Sequence, residues 1–198
     1  MLLNEPITNL NILALDFETS GAVKNYDEKP IQIGVAIMRA GQISPAECWQ
    51  SNLHLPKEHP INPFAQSIHR LHHEDLVNAQ TIYDIWPKLL TTLQNIHCLS
   101  AHNIPCERKV LHRTFPLHTF GPWLDTLKIS RHYRLCPHGN CLADVLHHQG
   151  LYQEAINLSQ GRSAHDALFD AIGCLLLLQK AAALHGPDIF QHIDYRTR

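Results

Sequence analysis

The chain lacks an excess of either charge. Its 198 residues carry 16 Lys and Arg against 18 Asp and Glu, a formal net charge of -2 with histidine neutral. Proteins that coat nucleic acid regardless of sequence need a basic footprint, so that class is excluded, whereas a local grip on one strand end is not. Also missing is a readable secretory leader: Met1-Leu2-Leu3-Asn4-Glu5-Pro6 has no basic n-region and no continuous apolar stretch. The longest apolar run, Ala171 to Leu178, is broken by Gly173 and ends at Gln179-Lys180. That is far short of the roughly 20 residues that span a bilayer. No internal repeat, low-complexity tract or linker divides the sequence. These absences lead us to expect a cytoplasmic protein with no membrane partner, and one domain over residues 1–198 with its core at about 10–185.

What is present is enough for a packed core. Apolar residues make up 44% and charged residues 17%, the balance of a globular chain rather than a disordered one. Six cysteines (48, 98, 106, 136, 141 and 174) without a leader read as reduced thiols. Cys136-Pro-His138-Gly-Asn-Cys141 could form half of a zinc site, but no second pair has the spacing to complete it. Cys141 instead stands where a small polar residue would start a helix over Leu142–His148. The 16 histidines are scattered, so only those placed by a motif are assigned a role.

The first strand runs from Leu10 to Phe17 and continues into Glu18-Thr19-Ser20-Gly21. Side chains alternate along a strand, so Asp16 and Glu18 extend the face of Ile12 and Ala14, while Leu13, Leu15 and Phe17 take the other. Two neighbouring acids on a buried face repel each other and lose hydration, penalties that a divalent cation removes. Metal-assisted chemistry is therefore the first functional expectation.

Further along, Ile31–Met38 and about Cys48–Leu55 read as strands, joined through Gly41 and Pro45 into an antiparallel meander. A short helix is expected over Phe64–His69. Ile82, Ile85, Trp86, Leu89, Leu90 and Leu93 share a helical face behind a Thr81/Asp84 capping box, with Pro87 kinking that helix or delaying its start. Then the order changes to strand His97–Ala101, helix Glu107–Thr114, strand Pro122–Leu124, and helices at Asp125–His132, Leu142–His148 and Ala164–His185. Antiparallel strands followed by crossover units predict an α/β architecture with a mixed central sheet.

Two more segments add polar groups. On its helix Glu107 shares a face with Val110 and Leu111, so it looks inward. The helix dipole would favour an acid in a first turn, but not one on the apolar face. Near the last helix, Ser163 and Asp166 have capping-box spacing, which places His165 in the first turn. Asp170 then lies about 140° around the helix, so the two side chains need not touch.

Together these segments resemble the 3′–5′ exonucleases of the DEDD superfamily, in the histidine-containing branch that includes DNA polymerase proofreading subunits, RNase T and oligoribonuclease. The first family motif stands as Asp16-Phe17-Glu18-Thr19-Ser20-Gly21. The second stands as His102-Asn103 leading to Glu107, and the third as His165-Asp166-Ala167-Leu168-Phe169-Asp170. Pro30–Ala36 and Asp125–Arg131 resemble the family's second strand and the segment after its fifth. Glu107 departs from the pattern, because the family carries aspartate there.

The resemblance implies an RNase H-like, mixed five-stranded sheet flanked by helices. It implies two Mg²⁺ or Mn²⁺ ions held by Asp16, Glu18, Asp170 and Glu107, with His165 as general base. The activity implied is release of nucleoside 5′-monophosphates from the 3′ end of DNA, single-stranded at that end. An exoribonuclease or oligonucleotide nuclease is the alternative, and a non-catalytic binding module of the same fold a third. Thr19, Phe17 and Asn103 are the substrate-binding candidates. Alternation turns Phe17 toward the core, and Asn103 also suits a turn. The implied partners are a nucleic-acid 3′ end and, for tight grip, a polymerase or a second copy of the chain.

Overall fold

The computed structural model describes residues 5–196. The chain opens with an antiparallel meander: β1 (Ile12–Thr19), β2 (Pro30–Arg39), β3 (Gln42–Ile43) and β4 (Trp49–Asn52). A helical segment follows, with α1 (Pro63–His69), α2 (His73–Leu76) and α3 (Trp86–Thr92). Then come β5 (Cys98–Ala101), α4 (Pro105–Thr114), β6 (Trp123–Asp125) and α5 (Thr126–Tyr133). The chain ends with α6 (Leu142–His148), α7 (Tyr152–Leu158), α8 (Ala167–His185) and β7 (Ile193–Asp194).

The strands form one mixed sheet in the order β3-β2-β1-β5-β6-β7, with β4 also paired to β2. β1 runs antiparallel to β2 and parallel to β5, and β5 runs parallel to β6. The sheet has seven strands rather than the expected five. The additions, β3 and β7, are two residues each. So short a strand leaves no period in a sequence, because alternation needs at least four residues to register. The short helices α2 and α7 were not anticipated for the same reason.

The alternation in β1 sorts the core into two layers. Ile12 and Ala14 pack with Ala36 and Met38 under α5, α6, α7 and α8. Leu13, Leu15 and Phe17 pack with Ile33, Val35 and Leu99 on the opposite face, with α3 and α4. α8 has the length and apolarity of a membrane span, but it lies buried against β1 and β2 as the central core helix. An apolar circumference suits a helix enclosed on all sides.

Two glycines permit that enclosure. A Cβ on Gly173 would come within 2.7 Å of Leu146 Cδ1. On Gly34 it would come within 2.1 Å of the Ala167 carbonyl carbon and oxygen. The start of α8 therefore rests directly on β2, at the register position opposite Asp16. Gln32, 4% exposed, fixes the same junction: its Oε1 accepts the Ala167 N–H at 2.9 Å, and its Nε2 donates to Asn52 Oδ1 at 2.9 Å.

The boundaries correct one expectation. Asp166 itself is the N-cap of α8, accepting from the Leu168 and Phe169 N–H groups at 3.1 and 3.4 Å. His165 thus lies outside the helix, in the left-handed region at φ 69°. Elsewhere the cap chemistry matches the sequence. Thr81 and Asp84 exchange the expected hydrogen bonds, but around a turn rather than at the helix: α3 begins only at Trp86, behind Ile85, with Pro87 in its first turn.

Candidate active site

The ends of β1 and β5 and the start of α8 meet at one cleft of about 570 Å³, lined by Asp16, His102, Asn103, Arg131, His165 and Asp170 among others. The pleat puts Asp16 and Glu18 there, opposite Gly34 and Gln32 of β2. Glu18, His165 and Asp170 each bring one ligand atom to within 4.8 Å of the others. The histidine and aspartate are more closely joined than helical geometry implied. With His165 outside the helix, its backbone N–H donates to Asp170 Oδ2 at 3.1 Å, so Asp170 also ties down the residue that carries the imidazole.

Glu107 enters from α4. It is 2% exposed, as its place on the apolar face implies, and its Oε2 is buried without a hydrogen-bond partner. Native structures rarely leave a buried carboxylate oxygen unpaired, since desolvation then goes uncompensated. Asp125, whose charge acts on Glu107, has a different fate. Asp125 caps α5, and its Oδ1 accepts from the N–H groups of Asn103, Leu127 and Lys128, at 3.2, 3.0 and 3.3 Å. Asp125 is satisfied; Glu107 is not.

The cleft carboxyls hold their protons unusually well. Burial, followed by Asp170, Glu107 and Glu18, pushes Asp16 well above the ordinary aspartate range. Burial and then the Asp170 charge raise Glu18 to about 8. Asp170 is pushed up to about 7, chiefly by burial, against the opposing hydrogen bond from His165. Glu107 is raised by burial, opposed by its own backbone, with Asp125 and Glu18 adding to the shift. His165 moves the other way, lowered by burial and by Arg70, which favours the neutral ring. Among the described residues none of the four carboxyls has an ion-pair partner. Four acceptor-only oxygen groups, mutually repelling and with one buried oxygen orphaned, fit a hard divalent cation.

The substrate-binding candidates separate. Phe17 is 5% exposed in the layer beneath the sheet, so its ring is withdrawn as a substrate contact. Thr19 sits at the end of β1, with its hydroxyl donating to Glu28 Oε1 at 2.7 Å. Asn103, at φ 82°, lines the cleft and the groove beyond it. His102 is structural: Nε2 meets the Asn140 carbonyl at 2.7 Å and Nδ1 meets Thr126 Oγ1 at 2.9 Å. The neutral tautomer with hydrogen on Nε2 satisfies both partners. Two positioning residues had gone unassigned, Gln32 and Gly34. Their only sign in the sequence is a polar residue and a glycine inside the apolar run Ile31–Met38.

Comparison with known proteins agrees with this geometry. The model of the exonuclease family RNase_T matches residues 13–178. No curated protein is significantly similar in sequence. Among solved structures, Exonuclease X in complex with 5′ overhanging duplex DNA is 22% identical, with a TM-score of 0.68 over 88% of this chain and 93% of that one. The nuclease domain of 3′hExo, a DEDDh family member bound to rAMP, is 15% identical, with a TM-score of 0.72 over 94% and 96%. Exonuclease I of E. coli, in complex with a dT13 oligonucleotide, is 15% identical, with a TM-score of 0.70 over 92% of this chain but 43% of that one. At these identities the likeness is one of fold.

Proposed function

The chain belongs to the RNase_T exonuclease family, and from that premise we propose that it is a metal-dependent 3′–5′ exonuclease releasing nucleoside 5′-monophosphates from single-stranded 3′ ends of DNA. The observation that carries this reading is the group of four carboxyls, Asp16, Glu18, Glu107 and Asp170, gathered with no ion-pair partner among the described residues. A fold kept only for binding has no use for four groups that repel one another.

In this reading Asp16, Glu18 and Asp170 would hold Mg²⁺ or Mn²⁺, two ions in all, with Glu107 in a supporting role. Bound there, such ions supply Lewis-acid stabilisation of charge on phosphoryl oxygens and a more acidic water. Glu107 is one methylene longer than the family's aspartate, and its unpaired Oε2 is the atom available for that task. His165, kept neutral, accepts the proton of the attacking water at a ring nitrogen. Asp170, through the His165 N–H, holds that ring at the rim. Gln32 and Gly34 set the distance between the two halves by docking the start of α8 on β2.

A second reading, cleavage of RNA, draws support from the similarity to a nuclease domain bound to rAMP. The test uses 5′-labelled single-stranded DNA and RNA, each with a free or a blocked 3′ end, in Mg²⁺ or in excess chelator. DNA should shorten stepwise from a free 3′ end and only with metal; faster loss of RNA would favour the second reading. Equal degradation of blocked and free ends, or none at all, would overturn both.

A further inference from the structure

A larger groove of about 720 Å³ adjoins the cleft, the two sharing Asn103 in their linings. One wall is α4, which presents Lys109 and Arg113. These are four residues apart, so they stand on one helical face. The facing wall is the loop after β1, carrying Asp27, Glu28 and Lys29, and Tyr83 closes the far side.

Both α4 cations meet acids of that loop, but the two pairs differ. Lys109 Nζ is 3.1 Å from Glu28 Oε2, and Glu28 is also anchored by the Thr19 hydroxyl at 2.7 Å. Arg113 Nη2 is 3.1 Å from Asp27 Oδ1, with the two side chains 52% and 71% exposed. That contact is the one hydrogen bond Asp27's side chain makes among the described residues. An ion pair so open to water is weak, and a phosphate can replace the carboxylate on a guanidinium through a bidentate contact. Tyr83 is 66% exposed and braced edge-on by Phe115 at 6.0 Å between ring centroids. An exposed ring of that kind is a platform on which an unpaired base can stack whatever its identity.

We propose that this groove holds the single strand leading to the cleft, that Arg113 binds a backbone phosphate upstream of the 3′-terminal nucleotide, and that Asp27 occupies that seat as an exchangeable substitute in the free protein. The inference rests on the reading of the cleft as the place of cleavage. Charge favours that occupant, because Lys29, Lys109 and Arg113 outnumber Asp27 and Glu28 in the groove lining, in a chain that is otherwise slightly acidic, and a phosphate that displaces Asp27 frees a cation to bind it.

The test is fluorescence anisotropy of the whole protein with a labelled oligothymidylate in excess chelator, where no cleavage occurs. Arg113→Gln should weaken binding by roughly twofold to fivefold and flatten the plot of log affinity against log salt by about 0.7. Tyr83→Ala should also weaken binding, with no change in salt slope. Asp27→Asn should strengthen binding, a sign that a merely structural ion pair would not produce. Separately, all variants should hydrolyse the p-nitrophenyl ester of thymidine 5′-monophosphate with Mn²⁺ at the wild-type rate, since that ester fills only the cleft. Wild-type protein that hydrolyses neither ester nor oligonucleotide would overturn the reading of the cleft. Wild-type hydrolysis of the ester, with Asp27→Asn binding no tighter or Arg113→Gln binding unchanged, would overturn the groove alone.

Discussion

Glu107 and Arg108 are consecutive on α4 and face different surroundings. Arg108 turns to β7, where its Nη2 meets Asp194 Oδ2 at 3.1 Å beside the ring of Trp123. Arg196 adds a two-pronged contact to the same carboxylate, at 2.9 Å from Nε to Oδ1 and 2.7 Å from Nη2 to Oδ2. Arg196 first, and Arg108 after it, hold the Asp194 carboxyl well below the usual aspartate range. Glu107 turns instead toward the other three carboxyls, with no ion-pair partner among the described residues, and burial raises it. The contrast shows how to tell a structural acid from a poised one. Where an acid only holds the fold together, the chain supplies its cation; where the acids are left to repel, as under the proposed function, the compensating charge would be a metal ion.

The most severe way to break the contrast is Asp16→Asn. Activity should fall below detection, while the melting temperature in chelator stays equal or rises as acid–acid repulsion is relieved. Activity comparable to wild type would sink the metal-dependent mechanism. Next is His165→Ala, expected to lose on the order of a hundredfold or more in turnover. In wild type the rate should decline with falling pH around a midpoint below the ordinary imidazole value, since burial and Arg70 lower that of His165. A mutant that keeps the wild-type rate and profile would move the proton transfer elsewhere.

Gly34→Ala tests the frame rather than the charges. Its Cβ would meet backbone, not a flexible side chain, so it should cost about 3 kcal/mol by denaturant titration. It should also reduce turnover by displacing the start of α8. A fully active, stable variant would mean that this contact does not set the site.

Glu107 sharpens the comparison at the level of one residue. Rate measured against Mg²⁺ should shift to higher concentrations for Glu107→Ala and Glu107→Gln, with Glu107→Asp intermediate. Coincident curves would leave a three-carboxylate site and reduce Glu107 to a helix-start acid, worth typically below about 1 kcal/mol.

The pH dependence of stability separates the two regions by its sign. Glu18 and Asp170 are raised from 4.5 to about 8 and from 3.8 to about 7. The stability they contribute is therefore complete below their unfolded values and lost as pH rises through 7–8. Asp194 is lowered from 3.8, so its contribution is present above that value and lost as pH falls. Metal-free protein should melt at progressively lower temperature from pH 5 to 8, and Mg²⁺ should flatten the decline. Asp194→Asn should keep that slope and remove part of the loss on the acid side. A flat metal-free profile would show that the cleft carboxyls do not repel.

Much of the site was legible in one dimension. Alternation alone put Asp16 and Glu18 on one face of β1 and turned Phe17 to the other. The 3.6-residue period turned Glu107 inward, and Thr81 and Asp84 exchange the hydrogen bonds of the expected capping box, though around a turn ahead of α3. Each of these depends on neighbours within a few residues, where covalent geometry sets which groups share a face. The placement of His165 was not legible in this way. Helical spacing kept it apart from Asp170, yet the capping role of Asp166 leaves it outside α8 and bonded to that same carboxylate. The short strand β3 closes a tight hairpin on the end of β2 that is too short to show a period, whereas β7 came from pairing with β6, far away in sequence. Equally remote in sequence is the approach of Gly34 to Ala167, and Gln32 meets the Ala167 N–H across 135 residues. Such contacts appear only when the sheet closes and α8 packs on it, because their energy depends on separations in space that no local pattern encodes. The sequence by itself determined which groups could carry the chemistry; tertiary packing decided how close they stand and left their charge uncompensated.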